Sequence, residues 1–223
     1  ASIRARDGLR DLSAERIGRE MRQLAVAGGA VETIATMQDA GILPVVLGGV
    51  GYIAALRRLV ELETAVGMTP NAPLRLAAIG CRIEEDAVRL AERMRLANAE
   101  RDRMRAAVSG INLFLRRPDE TAARRALYRL GEAAYGDGIA LAFAWADGSA
   151  GDTDWQRLIT LPERWRAPSF PLGGRDVLAG TTLRGAAVGA LLKAVESWWI
   201  ETDFAADEAG LRNRLQQMVS AAQ

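Results

Sequence analysis

Apolar residues recur three and four positions apart through most of this chain, the spacing of one helix face, while the strict alternation that marks strands is scarce. In LSAERIGREMRQL, Leu12 to Leu24, the large apolar residues Ile17, Met21 and Leu24 form a stripe among three arginines and two glutamates. Ser13 fits an N-cap, and Glu15 in the first turn suits the positive end of the helix dipole. Arg16 stands where a full capping box needs Glu or Gln. This helix is expected to end near Gly28. A second runs from Ala30 to Ala40 with Val31, Ile34 and Met37 on one face, and Gly41 reads as its stop. Ile42 to Val50 reads as an apolar, glycine-rich connection. A third helix spans Tyr52 to Ala65 with Leu56, Leu59 and Leu62 inward.

Thr69 to Pro73 breaks the chain before a short helix at Leu74 to Ile79. Glu84 to Met94 and Asn98 to Val108 follow, Asn98 in NAER repeating the start chemistry of Ser13 in SAER. Pro118 and Asp119 open a helix through Tyr135, with Leu127 and Leu130 inward. Ile139 to Trp145 is a helix or a buried strand, because a short apolar run fits both. The turn-rich Ala146 to Asp154 reads as a loop or hinge. The proline- and glycine-bearing Leu161 to Gly180 reads as extended and turning. Two helices close the chain, Arg184 to Glu201 and Asp207 to Ala221. The expectation is an all-α, elongated array of helices with short links.

Composition narrows the chemistry. The 223 residues are 49% hydrophobic and 26% charged, enough for a packed core. Net charge is +1, so no global basic field drives nucleic-acid binding, and any such role needs a locally basic face. Lys193 is the one lysine. Arginine in its place reflects a GC-rich genome or a use for its planar fork on phosphate. There is no histidine, which excludes a Ser-His-Asp triad, Cys-His catalysis and zinc sites built on His. Cys81 is the single cysteine, so no internal disulfide forms and a cytoplasmic setting fits. No apolar run reaches the roughly 18 residues of a membrane span. The chain opens on Ala1 rather than Met, and is expected to start inside a longer protein.

Candidate chemistry is sparse. Asp152 and Asp154 form an Asp-x-Asp, read either as a Mg²⁺ pair or as a loop acid leading to an N-cap. Glu84, Glu85 and Asp86 open a helix and compensate its dipole. Gly48 to Gly51 lacks the Lys-Ser/Thr of a phosphate loop and reads as a tight turn. Cys81 reads as a core residue, and Trp198 and Trp199 as packing rather than base-stacking platforms. Arginines gather at Arg101, Arg103 and Arg105, at Arg116, Arg117, Arg124, Arg125 and Arg129, and around Arg164, Arg166, Arg175 and Arg184. They serve either surface ion pairs or sugar–phosphate contacts.

Several segments resemble bacterial class II CCA-adding tRNA nucleotidyltransferases and the related poly(A) polymerases. Ile3 to Leu24 is similar to the family's neck, with Ser13, Glu15, Arg16, Ile17 and Glu20 at its pattern positions. MQDAGIL, Met37 to Leu43, and RLANAERDRM, Arg95 to Met104, match later steps. Phe170 to Phe204 resembles the C-terminal signature at Gly174, Asp176, Leu178, Gly180, Gly185, Val188, Gly189, Leu191 and Leu192. Two departures stand out: Arg184-Gly185-Ala186 replaces Pro-Gly-Pro, and Val177 replaces a Leu.

The resemblance implies a neck at 1–43, a helical body at 44–147 and a tail at 148–223. The family's catalytic head, with its metal-binding Asp-x-Asp, Mg²⁺ and CTP or ATP, would lie outside this chain. The implied role is to hold tRNA or another RNA 3′ end, with no catalytic or metal-ligating residue here and no activity alone. The head of the same parent chain is an implied partner, and a membrane is not. Arg101, Arg105, Arg124 and Arg125 are the expected phosphate contacts, with Arg175 and Arg184 on a tail turn. Glu15 and Arg16 are expected to be open to solvent, with Glu15–Arg19 and Arg16–Glu20 pairs one turn apart. The rival reading is a helical protein-interaction module with no RNA role.

Overall fold

Ser13 starts the first described helix as its residue type predicts: its hydroxyl accepts the Arg16 N–H at 3.2 Å. The computed structural model describes residues 13–146, 148–178 and 184–221, and these hold thirteen helical segments and no strand. Ile3 to Leu12 of the neck pattern, and Gly180, lie outside the described residues.

The helices are α1 (Ala14–Val26), α2 (Ala30–Asp39), α3 (Ile42–Leu47), α4 (Ile53–Val66), α5 (Ala72–Gly80), α6 (Glu84–Arg93) and α7 (Asn98–Phe114). Then come α8 (Glu120–Trp145), α9 (Thr153–Ile159), α10 (Leu161–Arg164), α11 (Gly174–Leu178), α12 (Ala186–Glu201) and α13 (Glu208–Ala221). The chain forms two packed units. One comprises Ala1–Pro118 with Leu130–Arg164, the other Asp119–Arg129 with Trp165–Gln223.

In the first unit α5 is the hub, packed against α1, α4, α6 and α7. Every residue from Leu74 to Gly80 is buried, as a helix apolar nearly all round must be. Its one charge, Arg75, is also buried. Arg75 Nε donates to Glu63 Oε2 on α4 at 2.9 Å, and Nη1 donates to the Ala25 carbonyl at 2.9 Å. One guanidinium thus ties α5 to α4 and to the last turn of α1. Burial pushes the Glu63 carboxyl above its ordinary value, against the pull of Arg75. Gly18 on α1 is equally constrained, since a Cβ there would lie 2.0 Å from the Met94 carbonyl oxygen.

In the second unit Leu172, Val177, Val195, Trp199, Leu211, Leu215 and Val219 form the core. Tyr128 and Phe204 pack against it, and Trp199 Nε1 donates to the Ala206 carbonyl at 2.8 Å. Trp199 is therefore a packing residue, as read from its amphipathic helix. Trp198 is half-buried under the Arg214 guanidinium, 5.2 Å from the ring centroid.

Several expected elements differ. Ile42 to Leu47 is helical rather than a plain connection, because α6 supplies its C-terminal acceptors with donors. Arg93 donates to the Val45 and Val46 carbonyls and Arg89 to those of Leu47 and Gly48. Asn98 is the first helical residue rather than the cap. Ala97 holds the cap position, and its N–H is taken by the Glu100 carboxylate at 2.8 Å. Ile139 to Trp145 is helix, continuous with the helix opened at Glu120 except at Gly131 (φ 76°, ψ 164°). Leu127 is buried as expected, but Leu130, the residue before that break, is 42% exposed. Leu161–Arg164 and Gly174–Leu178 form short helices inside the segment read as extended.

In α1, Met21 is buried, but Ile17 and Leu24 are only half-buried, and Gly18 and Ala25 complete the packed face. The composition shift after Ala146 does not coincide with the packing boundary at Arg164. Trp155 of α9 sits edge-on to Phe143 at 5.7 Å, and the Tyr135 hydroxyl donates to the Leu158 carbonyl at 2.9 Å. Those contacts hold α9 in the first unit.

Candidate nucleic-acid interface

An arginine can offer its fork to a phosphate freely only if no internal acceptor already holds it. Arg101, Arg105, Arg124 and Arg125 are held. On α7, Arg101 donates to Asn98 Oδ1 at 3.1 Å and pairs with Asp102 at 2.9 Å. Arg105 pairs with Glu84 at 2.9 Å, and Ser109 donates to the same carboxylate. The Ser109 and Arg105 bonds together keep the Glu84 carboxyl below its ordinary value. In the second unit, Arg124 pairs with Glu120 at 2.7 Å and Asp203 at 3.4 Å, its guanidinium 5.8 Å from the Trp165 ring centroid. Arg125 donates to the Glu201 carbonyl at 2.7 Å. Arg103, grouped with Arg101 in sequence, grips the buried Asp137 with two bonds of 2.6 and 2.9 Å.

Arg175 is different. It is exposed on α11 and makes no hydrogen bond or ion pair to a described residue. It lines an open groove of about 580 Å³ between α11 and α13. Val177, Leu215 and Val219 form the apolar floor, Gln216 and Ser220 add polar groups, and the Arg212 guanidinium is held by Asp176 and Glu208. Asp176 braces this wall. It accepts the Gly173 N–H at 2.7 Å and pairs with Arg212, and these bonds, in that order, hold its carboxyl below the ordinary range. The motif aspartate is therefore spent on the turn and on Arg212. Arg184 is exposed at the start of α12.

Other arginines are as open as Arg175. The side chains of Arg16, Arg57, Arg116, Arg129 and Arg166 are exposed and make no hydrogen bond or ion pair to a described residue. Sequence clustering missed Arg57 as such a cation. Of the neck residues, Glu15 and Arg16 are exposed, as expected. Their pairing differs: Arg19 joins its neighbour Glu20 at 3.1 Å and Glu15 meets Arg95 at 3.9 Å. The neighbouring loop of Arg95 competes for Glu15 in a way helix spacing does not show.

The acidic pair does not fit a metal. Asp152 accepts the Asp154 N–H at 3.0 Å as the N-cap of α9, and pairs with Arg117 at 2.8 Å. No three Asp, Glu or Cys residues are grouped to hold an ion among the described residues. Mg²⁺ therefore has no fitting donor set in the described residues. Gly48 is an αL turn (φ 66°) covered by the Arg93 side chain, not an anion cradle. Cys81 is fully buried, and burial pushes its thiol up to about 12. No described helix is long and apolar enough to cross a membrane. No family model matches the chain, and no curated protein matches it.

Proposed function

We propose that this chain is the RNA-holding neck, body and tail of a tRNA nucleotidyltransferase of the CCA-adding or poly(A) polymerase type. In that reading the parent transfers CMP and AMP, or AMP alone, to an RNA 3′ hydroxyl, using a catalytic head with Mg²⁺ and CTP or ATP. The residues described here would fix the register of the RNA through backbone and shape contacts. The observation that carries the reading is Arg175. It lies between Gly174 and Asp176 of the C-terminal resemblance, has no side-chain partner among the described residues, and borders an open groove with Gln216 and Ser220.

Filter binding of tRNA across a salt series tests it. Affinity should fall steeply with salt, since each phosphate contact releases counterions. Affinity that ignores salt, or duplex DNA competing as well as tRNA, would defeat the reading. The chain incubated with labelled ATP, Mg²⁺ and tRNA should give no product.

One observation favours the rival, a helical module for protein partners. On α12, Ala186, Ala187, Gly189 and Ala190 are exposed, and Leu191 and Leu192 only half-buried. A chain that binds no tRNA would leave that reading standing.

A further inference from the structure

Arg82 lies outside the arginine clusters visible in sequence, just after the buried Cys81 in the link between α5 and α6. It is exposed, and its guanidinium lies 4.0 Å from the centroid of the Trp145 ring. Tyr52 meets the same ring edge-on at 4.7 Å and an interplanar angle of 73°. The Arg82 backbone N–H is spent on Asp86 Oδ2 at 2.9 Å, but its side chain donates to no described residue. Trp145 Nε1 is buried and has no acceptor among the described residues. Ile83, beside Arg82, and Val50, two residues before Tyr52, are 57% and 69% exposed.

This arrangement pre-orders a flexible side chain. The Trp145 ring supports the guanidinium of an exposed residue whose fork of N–H donors has no acceptor among the described residues. Of the acids that follow, Glu84 is engaged by Arg105 and Ser109 and Asp86 by Arg89 and two backbone N–H groups, while Glu85 is exposed. A lone carboxylate would use the fork and ignore the flat face. A nucleotide uses both, its base stacking on the guanidinium plane and a phosphate meeting the edge.

We propose that Arg82, backed by Trp145 and Tyr52, is a contact for an unpaired nucleotide of the bound RNA. This rests on the reading of the chain as an RNA holder. It adds that the first unit contacts a splayed base, not only a phosphate backbone.

The test is filter binding of tRNA and of single-stranded oligoadenylate to wild type, Arg82→Ala and Arg82→Lys, with melting curves for each. Arg82→Ala should weaken both RNAs about tenfold and lower the salt slope by about one. Arg82→Lys should restore the slope but not the affinity for the single strand. Quenching of Trp fluorescence by oligoadenylate should disappear in Trp145→Phe. If wild type binds tRNA and Arg82→Ala binds equally well, this proposal falls and the RNA-holding reading stands. If wild type binds no RNA, both fall. If an Asp/Glu-rich peptide competes for Arg82 as well as oligoadenylate does, the site serves a protein and the proposal falls.

Discussion

Gly110 on α7 and Gly138 on α8 approach so closely that a Cβ on Gly110 would lie 2.6 Å from the Gly138 Cα. On Gly138 it would lie 2.9 Å from the Phe114 ring. The two glycines let the helices pack closer than any side chain allows. Alanine normally gains about 1 kcal/mol over glycine inside a helix. Here the clash is with backbone and must win. Gly110→Ala should cost about 1–3 kcal/mol, read as a lower urea midpoint at unchanged slope. A stabilised variant would show that the helices are not packed this way.

Arg75 and Glu63 form a buried pair that also holds the end of α1. Arg75→Met leaves Glu63 buried without its counter-charge and the Ala25 carbonyl without its donor. A loss of about 3–5 kcal/mol is expected. The double variant with Glu63→Gln should recover part of it, since the uncompensated charge is then gone. Urea unfolding of the two variants checks this.

Free and engaged arginines should separate cleanly in two measurements. Arg175→Ala should weaken tRNA binding with no change in melting temperature. Arg124→Ala should lower the melting temperature, because it removes the ion pairs with Glu120 and Asp203 and the contact with Trp165. The opposite pattern would move the interface away from Arg175.

The Asp176 carboxyl is held below its ordinary value of 3.8 by the Gly173 N–H and by Arg212. Its folded pKa is depressed, so its contribution to stability is full above the unfolded value. That contribution is lost as pH falls through the folded value. The gap in melting temperature between wild type and Asp176→Asn should therefore be constant near neutrality. It should close on acidification below about pH 4.

Cys81 is fully buried with its thiol raised to about 12. Thiolate is the reactive form. A thiol reagent should leave the native chain untouched at neutral pH and label it fully once denatured. Rapid native labelling would mean that the α5 hub opens.

Sequence by itself determined the class and much of the outline. Period 3.6 gave an all-α chain, Ser13 and Gly41 placed a start and a stop, and Leu56, Leu59 and Leu62 pointed inward as found. These features are local: a cap, a left-handed turn or an apolar stripe acts within one or two turns of itself. The exposure of Glu15 and Arg16 was an expectation of the neck resemblance rather than of a local signal. Tertiary structure decided everything that depends on a distant partner. Only packing shows that Arg75 belongs inside with Glu63, that Arg89 and Arg93 make α3 a helix, and that Asp152 answers Arg117. Only packing separates the engaged Arg101, Arg105, Arg124 and Arg125 from the open Arg175, or lays Arg82 on Trp145 from 63 positions away. An arginine's charge is written in the chain, but its availability depends on which acceptors the fold brings within reach.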